Sequence, residues 1–178
     1  MPINRHLIYA LKATCSKPVL AWLNWQASLT DRLRELTGEA EVQLLKQQWL
    51  NTDFWARSML SIKDTMVFQR EILMKSQGIS YWYARSIIPK SCYDLEADFF
   101  QRLNEESIRN LIFDEPKVER INSVNYVIDQ QCVEYYWVKK YIPNLPTPLW
   151  VRLAEYSFLG RESLYLLEVM LPEVGELY

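Results

Sequence analysis

Histidine is almost missing from this chain: the sequence holds one, His6, close to the N-terminus. A Ser-His-Asp triad, a Cys-His pair or a histidine-rich metal site would have to pass through that residue, in a part of the chain that is seldom tied down. Cysteine is also scarce. Cys15, Cys92 and Cys132 are far apart, odd in number and without C-x-x-C spacing. That argues for buried or incidental thiols in a reducing cytoplasm rather than a zinc site or a disulfide framework. The 4 glycines form neither G-x-G-x-x-G nor G-x-x-x-x-G-K-[ST], so no phosphate cradle is encoded. No apolar run reaches the roughly 18 residues of a membrane span. The apolar patch near the N-terminus is broken by Lys12 and Lys17 before it attains the length of a signal-peptide core. A basic excess is absent as well: 20 Lys+Arg against 22 Asp+Glu give a net charge of −2, unlike the positive field of a nucleic-acid binder. What remains for chemistry is carboxylates, arginines, lysines, tyrosines and shape, in a chain expected to be cytoplasmic.

What the sequence does hold is apolar bulk. Hydrophobic residues make up 49% and aromatics 13% of 178 residues, enough for a packed core with apolar surface left over for a pocket. The length suits one domain over residues 1–178. Helical spacing runs from Pro18 to Leu36, with Ser28 and Asp31 in a capping pattern that breaks and restarts it and Gly38 as its stop. Ala40 to Leu50 is a weaker strand candidate, and 51–62 reads as neither type. From Thr65 the period becomes two. The stretch 65–75, the turn Ser76-Gln77-Gly78 and the stretch 81–88 predict a hairpin ending at Pro89. Residues 93–113 return to helical spacing and predict a helix–turn–helix hairpin with Asn104 at its centre. Strands are predicted near 119–128, 132–141, 149–158 and 163–171, with Tyr135-Tyr136-Trp137 in the core and on a sheet face, and Val138-Lys139-Lys140 as a solvated edge. Short connections imply antiparallel pairing. The expected fold is α+β: a single antiparallel sheet of about six strands, with helices segregated at the start and in the middle.

Two charges sit inside apolar patterns. Arg70 shares a strand face with Met66, Phe68, Ile72 and Met74, and its neighbour Glu71 points to the mixed face. Glu168 shares a face with Leu164, Leu166 and Met170, in a strand apolar on both sides. A lone buried charge costs several kcal/mol, so it is paired, neutralised or kept for a ligand. Two readings follow. Arg70 and Glu168 neutralise each other in the core or a sheet-edge location lets one of them reach water, or else they face a pocket. There, Arg70 presents a planar fork to a carboxylate, and Glu168, raised by burial, sits protonated and donates. Arg85 and Arg152 each share a face with aromatic residues. Either is a second anion contact or an arginine whose stem runs along apolar surface.

Several blocks in order resemble bacterial chorismate lyase: VLAWL and SLTDRL (28–33), REIL (70–73), YARSIIP (83–89), FQRL with LIF, LW (149–150), LLEVMLP (166–172) and a terminal LY. The resemblance implies an enclosed ligand pocket under helical flaps and conversion of chorismate to 4-hydroxybenzoate and pyruvate, the first step of ubiquinone biosynthesis. It places the ring-carboxylate-binding arginine at Arg70 and the family's glutamate at Glu168. It places pocket residues of the helical segments at Leu29 and Ile108, where the family pattern has Met and Leu; both departures keep an apolar side chain. It further implies tight product retention, by a reaction that requires no metal and no organic cofactor. A monomer is expected, with neither nucleic-acid partner nor membrane insertion. The rival reading is a non-catalytic small-molecule-binding domain like the effector domains of some transcription regulators. Such a regulator would carry a winged helix upstream, for which the segment before residue 19 leaves no room.

Overall fold

In the computed structural model, which describes residues 3–8 and 13–177, six strands form one antiparallel sheet. They are β1 (Glu41–Asn51), β2 (Met66–Ser76), β3 (Ile79–Pro89), β4 (Val118–Ile128), β5 (Leu149–Phe158) and β6 (Glu162–Met170), in the order β1-β2-β3-β6-β5-β4. The family-like terminal dipeptide ends at Tyr178, which lies outside the described residues. The expected hairpin forms as β2 and β3. Gln77 and Gly78 both adopt positive φ, 51° and 76°, the geometry of a two-residue turn whose twist matches that of the strands. The four inner strands are buried almost throughout, whereas β1 and β4 alternate between covered and open positions. That contrast separates central strands from edges.

Seven short helices complete the fold among the described residues: α1 (Lys17–Leu23), α2 (Leu29–Thr37), α3 (Phe54–Met59), α4 (Lys90–Tyr93), α5 (Ala97–Gln101), α6 (Ile108–Phe113) and α7 (Val133–Lys139). The break expected at Ser28 is real: its hydroxyl accepts from the Asp31 N–H at 3.1 Å, and Gly38 ends α2 with φ 89°. The apolar sides of α1, α2, α5 and α6 cover one sheet face with Phe68, Ile72, Met74, Leu164, Leu166 and Met170. The other face carries Leu73, Tyr83, Leu153, Leu167 and Val169 beneath α3 and α7. Helices therefore lie on both faces, not only in the two sequence blocks expected to be helical. This double cover is why β3, β5 and β6 are apolar on both sides.

Two expectations fail. Residues 132–141 form no strand; they form α7, in which Glu134, Trp137 and Val138 take the i, i+3, i+4 spacing and turn toward the sheet. Tyr135 and Trp137 are in the core as expected, but Tyr136 is exposed, and Lys139 and Lys140 sit at a helix end instead of a sheet edge. Residues 93–113 are not a regular helical hairpin either. They divide into the end of α4, α5, a 3-10 turn at Arg102–Asn104 and α6, each too short to be stable without the sheet beneath it.

Candidate active site

The strand register sets the site. Arg70 on β2 pairs with Ser86 on β3, and Glu168 on β6 pairs with Ala84 on β3. One strand thus separates the two charged residues, a span of about 10 Å between backbones. The side chains between them, Ala84 and Ser86, are small, so the floor dips where a long residue would fill it. Ser28 and Leu29 from the start of α2 and Ser107, Ile108 and Ile112 from α6 and its approach close over this depression. Arg70, Glu168, Leu29 and Ile108, four residues scattered along the chain, line one cavity. Its volume is about 30 Å³. That is room for a water molecule.

Arg70 and Glu168 do not neutralise each other. The buried ion pairs among the described residues are Arg85–Glu71 and Arg152–Glu168, and Arg70 belongs to neither. Arg70 is 7% exposed, and its Nε donates to Gln47 Oε1 at 3.0 Å. Gln47 in turn donates to Asn104 Oδ1 at 2.9 Å. This neutral chain orients the guanidinium without cancelling its charge. Burial draws Arg70 below the ordinary arginine pKa, yet the group stays protonated at physiological pH. The result is a desolvated cation whose charge is unmet, facing a cavity.

Glu168 has a different environment from the one expected. Arg152, directly opposite it on β5, donates from Nε to Glu168 Oε2 at 2.6 Å, and its Nη1 donates to the Trp25 carbonyl at 2.9 Å. The carboxyl group is therefore an acceptor held in an ion pair, not a neutral donor. With Oε2 occupied, Oε1 is left for the cavity. Nearby, burial and the Glu168 carboxylate push the Tyr156 phenol up to about 12, so it stays neutral. Arg85 is no part of this site. It lies on the other sheet face, where it donates to Glu71 Oε1 at 2.6 Å and to the Tyr83 hydroxyl at 3.0 Å, and stacks on Trp137 at 3.5 Å. Glu71, assigned to a mixed face by its sequence, is buried there.

A profile of the family described as chorismate lyase matches residues 11–172. The chain belongs to the chorismate lyase family. Relatives described as probable chorismate pyruvate-lyases include one from Aromatoleum aromaticum, 27% identical over 161 residues, covering 88% of this chain and 85% of the relative. Another, from Methylobacillus flagellatus, is 24% identical over 157 residues and covers 88% of each. Among solved structures, a GntR-family transcriptional regulator from Bacillus cereus superposes with a TM-score of 0.55 at 16% identity, covering 75% of this chain and 92% of that one. The effector domain of PhnF from Mycobacterium smegmatis gives 0.53 at 13% identity, covering 83% and 90%. At such identities these likenesses speak for the α+β fold alone.

In this chorismate lyase family chain, sequence reasoning missed three parts of the site. Arg152 stood out only as an arginine among aromatics; the cross-strand register reveals its partner. Gln47 was hidden because β1 contains a bulge between Leu44 and Lys46, which reverses the alternation and makes face assignment by parity fail. Asp31, read in the sequence only as part of a helix cap, and Arg109, which the sequence did not single out, meet between α2 and α6 with Nη2–Oδ2 at 2.6 Å. Among the described residues no group of His, Cys, Asp and Glu has the geometry of a metal site, and no helix is long and apolar enough to cross a membrane.

Proposed function

We propose that this chain is a chorismate–pyruvate lyase that releases 4-hydroxybenzoate and pyruvate and supplies the first aromatic intermediate of ubiquinone biosynthesis. The observation that carries this reading is Arg70: a buried guanidinium with no carboxylate partner, aimed at a cavity lined by Glu168. A substrate ring carboxylate would meet the unmatched charge through a planar bidentate contact. Glu168 Oε1 would then accept from the 4-hydroxyl, with Arg152 fixing the angle of the carboxylate.

The reaction breaks the C3–O ether bond of chorismate and removes the hydrogen from C4. The hydrogen passes to the methylene of the departing enolpyruvyl group, which becomes the methyl group of pyruvate, and the ring becomes aromatic. Aromatisation supplies the driving force, so no strong base is needed, in keeping with a site built without histidine. The chain's contribution is to position and to stabilise charge. Leu29 and Ile108 form an apolar cover that excludes water. With so little free volume beneath it, the same cover retards product release. The chain acts as a cytoplasmic monomer over residues 1–178, without metal or organic cofactor.

The decisive experiment incubates purified protein with chorismate and follows pyruvate and 4-hydroxybenzoate together. Equimolar appearance, lost in Arg70→Ala, supports the lyase. Tight binding of 4-hydroxybenzoate with no pyruvate formed would instead identify a non-catalytic small-molecule-binding domain.

A further inference from the structure

Among the described residues a second cavity, partly open to solvent at Phe54, lies on the other side of the sheet. Its volume is about 640 Å³, within the range that accommodates small organic ligands. Helices α3 and α7 and strand β4 form its walls, and Phe54, Trp55, Tyr126 and Trp137 give it an aromatic lining. The charged residues lining it among the described residues are Asp53 and Glu134, both acidic, and no lysine or arginine joins them. Arg85, behind Trp137, is already neutralised by Glu71.

Glu134 gives the cavity its chemistry. It is 5% exposed. Trp55 Nε1 and the Tyr126 hydroxyl both donate to its Oε1, at 2.9 and 3.0 Å. Burial and the adjacent carboxylate hold the Tyr126 phenol well above its usual pKa, so it remains a donor. Glu134 Oε2 accepts no hydrogen bond from a described residue. Nor is it one of the buried side-chain atoms stranded without a partner, which are Trp22 Nε1 and the Tyr156 hydroxyl. It therefore keeps its opening to the cavity. A carboxylate fixed through one oxygen and open at the other, inside aromatic walls, recognises an organic cation: the free oxygen takes a charge-assisted hydrogen bond and the ring faces attract positive charge. An anion is repelled, and a neutral ligand gains apolar burial only.

We propose that this cavity is a second ligand site that binds a lipophilic primary ammonium, with the ammonium on Glu134 Oε2 and the apolar tail against Trp55 and Trp137. It stands on the face opposite Arg70 and is independent of the lyase reading.

Calorimetric titration of the full chain with n-octylammonium, octan-1-ol and octanoate tests it. The ammonium is expected to bind at least tenfold more tightly than the alcohol, and octanoate more weakly than either. Glu134→Gln preserves the shape and the acceptor for Trp55 and Tyr126; it should erase the preference for ammonium while octanol binding stays within twofold. Ser58→Trp, which fills the cavity, should abolish binding of both, and Arg70→Ala should change neither. Equal affinity for ammonium and alcohol in the wild type, no binding at all, or a preference that survives Glu134→Gln overturns the proposal. If the Gln variant does not fold by circular dichroism, stoichiometric ammonium binding to folded Ser58→Trp overturns it instead.

Discussion

Arg109 of α6 and Asp31 of α2 are joined by a two-toothed contact: Nε and Nη2 of the arginine reach the carboxylate at 3.0 and 2.6 Å. A further ion pair runs from Arg109 to Asp114. The two helices that cover the cavity are thus tied to each other through charge while their apolar residues face Arg70 and Glu168. Both helices also seat apolar residues in the core, Leu29 and Leu33 of α2 and Leu111 and Ile112 of α6, so the ion pair adds to that packing.

Cutting that tie should speed ligand release. Exposed and half-exposed ion pairs contribute about 0.2–1 kcal/mol, so Asp31→Asn or Arg109→Gln should raise the 4-hydroxybenzoate release rate about 1.4- to fivefold. Stopped-flow tryptophan fluorescence measures it. The contact with Arg109 holds the Asp31 carboxyl below its ordinary value. Its stabilising effect is therefore complete above the usual aspartate range and fades as pH falls through the lowered pKa. Release from the wild type should be flat from pH 7 to 5 and quicken only in stronger acid; the rise should be smaller in the Asn variant, where only the product's own carboxylate is left to titrate.

Arg70 is expected to show a conflict between binding and stability. Arg70→Met removes a desolvated charge that no carboxylate balances, so the urea midpoint should not fall. Product affinity should fall by about 10- to 150-fold, the equivalent of roughly 1.5–3 kcal/mol for a charge-assisted contact. Arg70→Lys keeps the charge but not the fork and should recover only part of the affinity. A clear loss of stability in Arg70→Met would mean that the guanidinium is a structural group.

The Arg152–Glu168 pair should behave in the opposite way. Arg152→Met leaves Glu168 buried beside no cation, at a cost of about 3–5 kcal/mol in urea denaturation. The double variant Arg152→Met with Glu168→Leu replaces both charges by apolar bulk and should regain most of that loss. Lyase turnover should be lost in both.

On the far face, Arg85→Ala should destabilise the chain by a comparable amount, because Glu71 loses its cation and Trp137 its stacking partner. Product affinity should stay within about twofold of the wild type. A larger change in affinity, measured by calorimetry, would mean that the two faces are coupled through β3.

The cap at Ser28, the hairpin around Gln77 and Gly78 and the alternation of β2 were legible because each depends on residues a few positions apart. The helix at 133–139 was not. Over so short a stretch Tyr135 and Trp137 fit a period of two while Glu134, Trp137 and Val138 fit a period near 3.6, and the sheet beneath the segment selects the second. The same limit applied to charge: that Arg70 and Glu168 were out of place could be read from their apolar neighbours, but whether each had a partner could not.

By itself, then, the amino-acid order determined which residues had to be buried, which two charges demanded an explanation and which chemistries were closed to a chain with one histidine. The tertiary structure decided that Arg152 satisfies Glu168 and that no carboxylate satisfies Arg70. The physical reason is that electrostatic pairing acts over a few ångströms of space, and those ångströms are set by strand register between segments far apart in the chain.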